Sequence, residues 1–302
     1  MSILIRVPAT IANLGPGFDC LGLALDLWNE LEVTVTGETL QIEIQGEGSQ
    51  QLPVSAENAI YQAMLTYAKR HSKQLPAGLH LLCTNRIPLG SGLGSSSAAA
   101  VAGILAASAV LDLPANIDDQ LSCAALIEGH PDNVAPCLYG GLVACIQNGE
   151  SIIVHKMPVQ NFSLILIHPY FDFTTSAARA ALPQQISRSD AVFNSSHLLI
   201  TAEALRTGDP ALLRAGMQDR IHEPYRLPLI PGANDAIAAA KEAGAIKVIL
   251  SGAGPSLLAF SPSSEARPLI AARMQASFSQ AGLNSEAIFP QISFTGATSL
   301  SK

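Results

Sequence analysis

The stretch PLGSGLGSSSAAAVAG, residues 88–103, alternates Gly90, Gly92 and Gly94 and then enters an alanine-rich run through Ser95, Ser96 and Ser97. Glycine adopts positive φ and lets a ligand come close to the backbone. The serines fall where a helix would cap and begin. Their backbone N–H groups lack helical partners, and the positive end of the helix dipole lies there. These features describe an anion pocket built from main chain, suited to the phosphates of a nucleotide. The stretch lacks the Gly-Lys-Ser/Thr ending of a Walker A loop, and its G-x-G-x-G spacing is not the dinucleotide fingerprint. Charge to offset bound phosphates must therefore come from the dipole, a metal ion and cationic side chains elsewhere in the chain. Taken alone, the same residues also read as a flexible turn leading into a helix.

The rest of the chain supplies a large core. It has 302 residues, 48% hydrophobic and 14% charged, a length that suits two modest domains or one large one. Its formal net charge of −7 argues against a nucleic-acid surface, which needs clustered Lys and Arg. Cys20, Cys83, Cys123, Cys137 and Cys145 form no C-x-x-C pair and sit among apolar neighbours. Buried free thiols and a reducing compartment follow. No cleavable apolar leader is visible, and the run at residues 98–110 is shorter than a membrane span. The expectation is a cytoplasmic protein.

Residues 3–10, 27–37 and 40–48 alternate apolar and polar positions and read as strands, with residues 11–25 as a Gly-Pro-Gly loop between the first two. Residues 56–71 have helical spacing, 78–85 form a strand, and the glycine stretch opens the next helix. Further helix-like segments lead to residue 141, followed by strands at 142–147 and 151–156. From Pro158 the pattern predicts a strand at 162–169 and helices at 176–182, 196–208, 211–226 and 233–244. It closes with a strand-turn-strand at 245–262, a helix at 265–282 and an edge strand at 285–293. Strands cluster rather than alternating with helices, which favours an α+β class over a doubly wound sheet.

Two further stretches accompany the glycine loop in order: VPATIANLGPGFDCLGLAL at residues 7–25 and SGAGPSLLAF at residues 251–260. With the loop they resemble the three motifs of the GHMP kinases, the group covering galactokinase, homoserine kinase, mevalonate kinase and phosphomevalonate kinase. ANLGPGFD, EGHPDNVAPCLYGG and HEPYR are most similar to the branch that acts on homoserine. The resemblance runs over residues 3–260. It implies a two-domain α+β fold: residues 1–157 as an N-terminal nucleotide-binding α/β domain and residues 158–302 as a C-terminal ferredoxin-like domain, with the active site in the cleft between them.

The resemblance also assigns residues. Pro88, Leu89, Gly90, Ser91, Gly92, Leu93, Gly94, Ser95, Ser96 and Ser97 bind the phosphates of ATP. Ser96 and Glu128 hold Mg²⁺, a cation that prefers hard oxygen ligands and keeps phosphates in its shell. Asn133 stands where mevalonate kinase-like relatives carry a catalytic aspartate. An amide is no general base, so the substrate hydroxyl, oriented by Asn133, attacks the γ-phosphorus directly. Glu128 and Thr175 complete the catalytic set, Thr175 near the γ-phosphate. Asn13, Asp19, His130 and Asp132 take the ammonium and hydroxyl ends of an amino-acid alcohol, and Arg179 and Arg226 grip its carboxylate. Gly252, Gly254 and Ser256 form the third motif, whose turn approaches the nucleotide loop. Asn58 and Asn85 fall near the base.

Several of these residues also have a plainer reading. Ser96 can be a helix cap, Glu128 a solvated helix-end carboxylate and His130 a core histidine. Asn13 and Asp19 can form a turn, the arginines can lie on the surface, and residues 252–256 can be a simple β-turn. The implied activity is ATP- and Mg²⁺-dependent phosphorylation of L-homoserine to O-phospho-L-homoserine, a step of threonine synthesis. A GHMP kinase for another small alcohol such as mevalonate, or a nucleotide-binding sensor without catalysis, are the other readings. A homodimer is compatible with the family.

Overall fold

The computed structural model describes residues 2–301. The first half forms strands β1 (Ser2–Asn13), β2 (Gly17–Val35), β3 (Gln41–Gly46), β4 (Leu79–Asn85), β5 (Leu142–Asn148) and β6 (Ser151–Met157). They are interleaved with helices α1 (Ala59–Arg70), α2 (Ser95–Val110), α3 (Ile117–Glu128) and α4 (Val134–Tyr139). The second half contributes β7 (Ser163–Pro169), β8 (Lys247–Leu250), β9 (Leu257–Ser261), β10 (Ser285–Ile288) and β11 (Thr298–Ser301). Its helices are α5 (Thr175–Ala180), α6 (Arg188–Thr207), α7 (Pro210–Gly216), α8 (Glu223–Arg226), α9 (Ala233–Glu242) and α10 (Arg267–Gln280).

Two sheets result. The larger runs β11-β1-β2-β4-β3, with β5 paired to β2 outside the stretch that pairs with β4, and β6 paired to β5. The smaller runs β10-β7-β9-β8 and is antiparallel throughout, with α9 and α10 packed together beside it, a ferredoxin-like strand order. β7 shows how the layers stack. Leu164 and Leu166 join the main core, whereas Ile165 and Ile167 join a second core with Ala236, Ala240, Ile270 and Phe278 of α9 and α10. The period-2 alternation of a strand thus sends successive apolar residues into two cores, and a run of uninterrupted apolar residues marks a sheet covered on both faces.

The first two strands depart from expectation. Residues 11–25 are not a loop: β1 continues through Pro8 to Asn13 and turns directly into β2. Pro8 sits at a register shift, where its missing N–H costs least, and Asp26 and Leu27 are accommodated opposite it. A second shift pairs Ala12 with Gly22 but Asn13 with Gly17, so residues 18–21 leave the β1 ladder. Asn13, Leu14 and Asp19 all adopt positive φ there. Such backbone is uncommon outside glycine and clusters at functional sites.

Three other differences concern the second half. The helix expected at 211–226 is broken into α7 and α8, because the Asp219 carboxylate takes the N–H groups of Ile221, His222 and Glu223. A side chain that satisfies the backbone in this way competes with the helix. The helix expected from residue 196 begins at Arg188, capped by Ser187 Oγ accepting from Asp190 N at 3.0 Å. Finally, the chain end returns to the larger sheet: β11 pairs with β1 from Ile3↔Ser301 to Arg6↔Thr298, so residues 298–301 belong spatially with the first half.

Among the described residues all cysteines are free, and only Cys20 is not fully buried. Among the described residues no helix is long and apolar enough to cross a membrane.

Candidate functional site

A cleft of about 620 Å³ lies between the two halves and is lined by residues of three kinds. Ile44, Leu52, Pro53, Ile60 and Leu89 give it apolar surface, and Asn58, Asn85, Glu30 and Glu57 also line it. The glycine loop and the start of α2 contribute backbone and serine hydroxyls. A polar group comprises Asn13, Asp19, His130, Asp132, Asn133, Thr174, Thr175, Arg179 and Arg226.

The loop is shaped by what it packs against. Gly94, at φ +68, caps α2, and a Cβ on it would lie 2.1 Å from Thr10 Oγ1. Gly92, at φ +77, faces the third motif, and a Cβ there would lie 2.2 Å from Ser251 O. Ser251 Oγ donates to Gly92 O at 2.8 Å, and Ser256 N donates to Ser91 O at 3.3 Å. The third motif therefore clamps the loop from the other half of the molecule. Gly90, by contrast, has open space around it. Ser91 and Leu93 turn inward, Ser91 Oγ donating to Pro88 O at 2.7 Å and Leu93 lying in the main core. The cleft side of residues 90–96 is thus mostly glycine and serine backbone ahead of a 16-residue helix, the arrangement that binds anions.

Glu128, at the end of α3, faces the first turn of α2. Its Oε2 accepts from Ser96 Oγ at 2.8 Å and from Ser97 Oγ at 2.5 Å. One carboxylate and a serine hydroxyl beside the anion cradle are hard oxygen donors of the kind Mg²⁺ takes when phosphates supply the remainder of its shell. Among the described residues no group of three or more His, Cys, Asp or Glu forms a metal cage of its own.

The polar residues of the cleft form a set of pairs. Arg179 binds Asp19 through both ends of its guanidinium, at 3.1 and 2.8 Å. Burial works against the Arg179 cation, but the Asp19 carboxylate more than offsets it and holds the guanidinium pKa above its ordinary value. Arg226 is buried. Its Nε donates to Ala178 O at 3.2 Å and its Nη1 to Gly252 O at 3.3 Å. Burial, reinforced by Arg179, lowers its pKa from the usual arginine range. His130 Nδ1 meets Asp132 Oδ1 at 2.6 Å. Burial opposes the imidazolium, but that carboxylate outweighs it and raises the histidine pKa. Asn13 Nδ2 donates to Gly252 O at 2.9 Å and its Oδ1 accepts from Asp19 N at 3.1 Å, so Asn13 joins the first motif to the third. Asn133 Oδ1 accepts from Thr10 Oγ1 at 2.8 Å.

Most residues singled out in the sequence converge on this cleft. Ser256 does not reach it: its hydroxyl pairs with His168 Nδ1 at 3.0 Å in a buried position. Thr175 lines the cleft beside Thr174, which caps α5. Thr10, Phe18, His222 and Ser251 shape the site and were not singled out. Thr10 and Phe18 lie inside the first motif, Ser251 opens the third and His222 opens HEPYR. Position within those motifs was the only signal for them.

The model of the GHMP kinases N terminal domain matches residues 58–141, and that of the GHMP kinases C terminal matches residues 201–280. The homoserine kinase of Moorella thermoacetica is 41% identical over 281 residues, covering 93% of this chain and 94% of the relative. The chain belongs to the GHMP kinase family. The homoserine kinase of Gloeobacter violaceus is 44% identical to this GHMP kinase, over 84% of this chain and 86% of the relative. The crystal structure of homoserine kinase from Cytophaga hutchinsonii superposes with a TM-score of 0.87 at 36% identity, covering 99% of this chain and 97% of that one. The L. major mevalonate kinase, solved with R-mevalonate, reaches 0.73 at 17% identity over 95% of this chain and 94% of that one, a likeness of fold alone.

Proposed function

We propose that this GHMP kinase transfers the γ-phosphoryl group of ATP to the side-chain hydroxyl of L-homoserine, giving O-phospho-L-homoserine for threonine synthesis. The observation that carries the reading is the joint lining of one cleft. Apolar side chains, a main-chain anion cradle and a cluster with two guanidiniums all face it. A nucleotide base, a triphosphate and an amino-acid alcohol call for these three kinds of surface. The likeness to homoserine kinases over nearly the whole chain supports the same substrate.

In this reading the backbone of residues 90–97 receives the phosphates. Ser96 and Glu128 hold Mg²⁺, which when bound offsets phosphate charge. Arg226 and Arg179 receive the α-carboxylate, a planar anion that guanidinium binds bidentately. Asp19, Asp132 and His130, with Asn13 behind them, receive the ammonium and orient the hydroxyl end. Thr175 lies toward the γ-phosphate. Thr10 fixes the Asn133 amide through its Oδ1, leaving the Nδ2 donor to orient the attacking hydroxyl. With an amide in this position the hydroxyl attacks the γ-phosphorus directly and its proton leaves to a phosphate oxygen. Phosphoryl transfer tolerates this, because its catalysis is largely positioning and charge stabilisation.

The test is ADP release with homoserine, serine, threonine and mevalonate as acceptors. Turnover confined to homoserine is expected. Turnover with mevalonate alone, or nucleotide binding without turnover on any acceptor, would overturn the assignment.

A further inference from the structure

Two cations that line the cleft share one aromatic ring. The guanidinium carbons of Arg179 and Arg226 lie 5.7 and 5.2 Å from the centroid of the Phe18 ring. Both distances are within the range of a cation–π contact. The same ring stacks on His222, with centroids 5.3 Å apart and planes inclined by 26°. His222 is itself fixed. Its Nε2 meets Gly15 O at 2.8 Å and therefore donates, which leaves Nδ1 to accept from Arg226 Nη1 at 3.4 Å. Phe18 belongs to the residues that leave the β1 ladder, and it directly precedes Asp19.

Ordinary ion pairing does not account for this arrangement. Asp19 takes Arg179, and Arg226 has no ion-pair partner among the described residues, only two carbonyl oxygens and the neutral His222 Nδ1 as acceptors. Two guanidiniums drawn to one ring, Arg226 buried and Arg179 exposed, repel each other. Asp19 relieves this at Arg179, but a second carboxylate set between the two cations would occupy the place of an incoming anion. An aromatic face attracts both cations through its quadrupole and carries no charge that competes with that anion.

We propose that Phe18 is a positioning residue for carboxylate recognition, its ring holding the Arg179 and Arg226 guanidiniums together as a paired cationic face. The proposal rests on the homoserine reading above. It makes Phe18 a determinant of the preference for an acceptor that bears a carboxylate, acting through the arginines.

The test compares wild type with Phe18→Leu, which removes the ring, and Phe18→Tyr, which keeps it. The readouts are KM for homoserine, KM for ATP and the inhibition constant of 3-amino-1-propanol, the same acceptor without its carboxylate. Phe18→Leu is expected to raise KM for homoserine at least tenfold. KM for ATP and the 3-amino-1-propanol constant should move less than twofold, and Phe18→Tyr should stay within threefold of wild type throughout. If Phe18→Leu does not fold, as judged by thermal melting, Phe18→Met serves with the same readouts. A ringless variant in which homoserine and 3-amino-1-propanol weaken equally, or in which neither changes, would overturn the proposal. Failure of the underlying substrate reading is visible separately, as wild type that does not turn over homoserine.

Discussion

Thr10 Oγ1 donates to Asn133 Oδ1 at 2.8 Å, joining β1 to the N-terminus of α4 across 123 residues of sequence. The bond runs beside Gly94, whose Cα carries no side chain because Thr10 fills the space a Cβ would need. One contact thus fixes both the orientation of the Asn133 amide and the approach of β1 to the nucleotide loop.

Thr10→Val removes this donor and nearly preserves shape. A misoriented Asn133 should slow turnover, about tenfold if the lost hydrogen bond is worth roughly 1.4 kcal/mol in the transition state. KM for either substrate should change little, and Asn133→Ala should be slower still. Steady-state kinetics on the two variants checks this. A rise in KM for homoserine at unchanged kcat would show that Asn133 binds rather than orients.

Glu128→Gln keeps the shape of the group that accepts from Ser96 and Ser97 but removes its charge. If Glu128 and Ser96 hold Mg²⁺, half-saturation with Mg²⁺ at fixed ATP should rise about tenfold or more and kcat/KM should fall by at least about a hundredfold, as expected when a charged ligand is lost. An unchanged Mg²⁺ titration would leave Glu128 as a helix-end partner of two serines and no more.

The glycines of the loop should separate under alanine substitution. At Gly92 a Cβ collides with Ser251 O and the φ is +77, so Gly92→Ala should lower the melting temperature and loosen the clamp between the halves. Strain at positive φ alone costs about 1–2 kcal/mol, and the backbone collision adds to it. At Gly90 nothing lies within 4 Å, so only the φ of +60 penalises alanine, and the added methyl enters the anion cradle. Gly90→Ala should melt nearer to wild type while raising KM for ATP. Thermal melts set beside ATP titrations distinguish the two. Equal melting temperatures would contradict the account of Gly92.

What the sequence made legible follows the range of the interactions involved. α1, β7 and α10 come from local periodicity, and the phosphate cradle from a contiguous run of residues 90–97. The β1–β2 hairpin was hidden because Gly15, Pro16 and Gly17 carry loop chemistry, whereas the outcome depends on a register shift between Ala12 and Asn13. The break between α7 and α8 depends on one carboxylate, Asp219, capturing three N–H groups, and nothing in the helical spacing announces it. β11 is a short polar segment whose only reason to be a strand is β1, nearly 300 residues away in the chain. At the site, the named residues were readable but their pairings were not. Asp19 with Arg179 and Thr10 with Asn133 are separated by 160 and 123 residues.

Glu223 gives a prediction about pH. It is buried at the start of α8, and its Oε1 accepts from Leu250 N at 2.8 Å, anchoring the strand that leads into the third motif. Burial pushes its carboxyl up to about 7 from 4.5; Asp219 adds to this, while the Leu250 N–H and Lys247 oppose it. The folded protein therefore binds this proton more tightly than the unfolded chain does. The stability contributed by the neutral carboxyl is complete below about pH 4.5 and is lost as pH rises through about 7. Glu223→Gln keeps an acceptor for Leu250 and cannot ionise. Its stability relative to wild type should be flat near pH 4, should climb between about pH 4.5 and 7, and should level off above that at a gain of up to about 3 kcal/mol. Denaturant unfolding of both proteins across pH 4–8 measures the difference. A relative stability that stays level across this window would mean that Glu223 titrates in the folded protein as it does in the unfolded chain, with Lys247 and the Leu250 N–H fully offsetting burial.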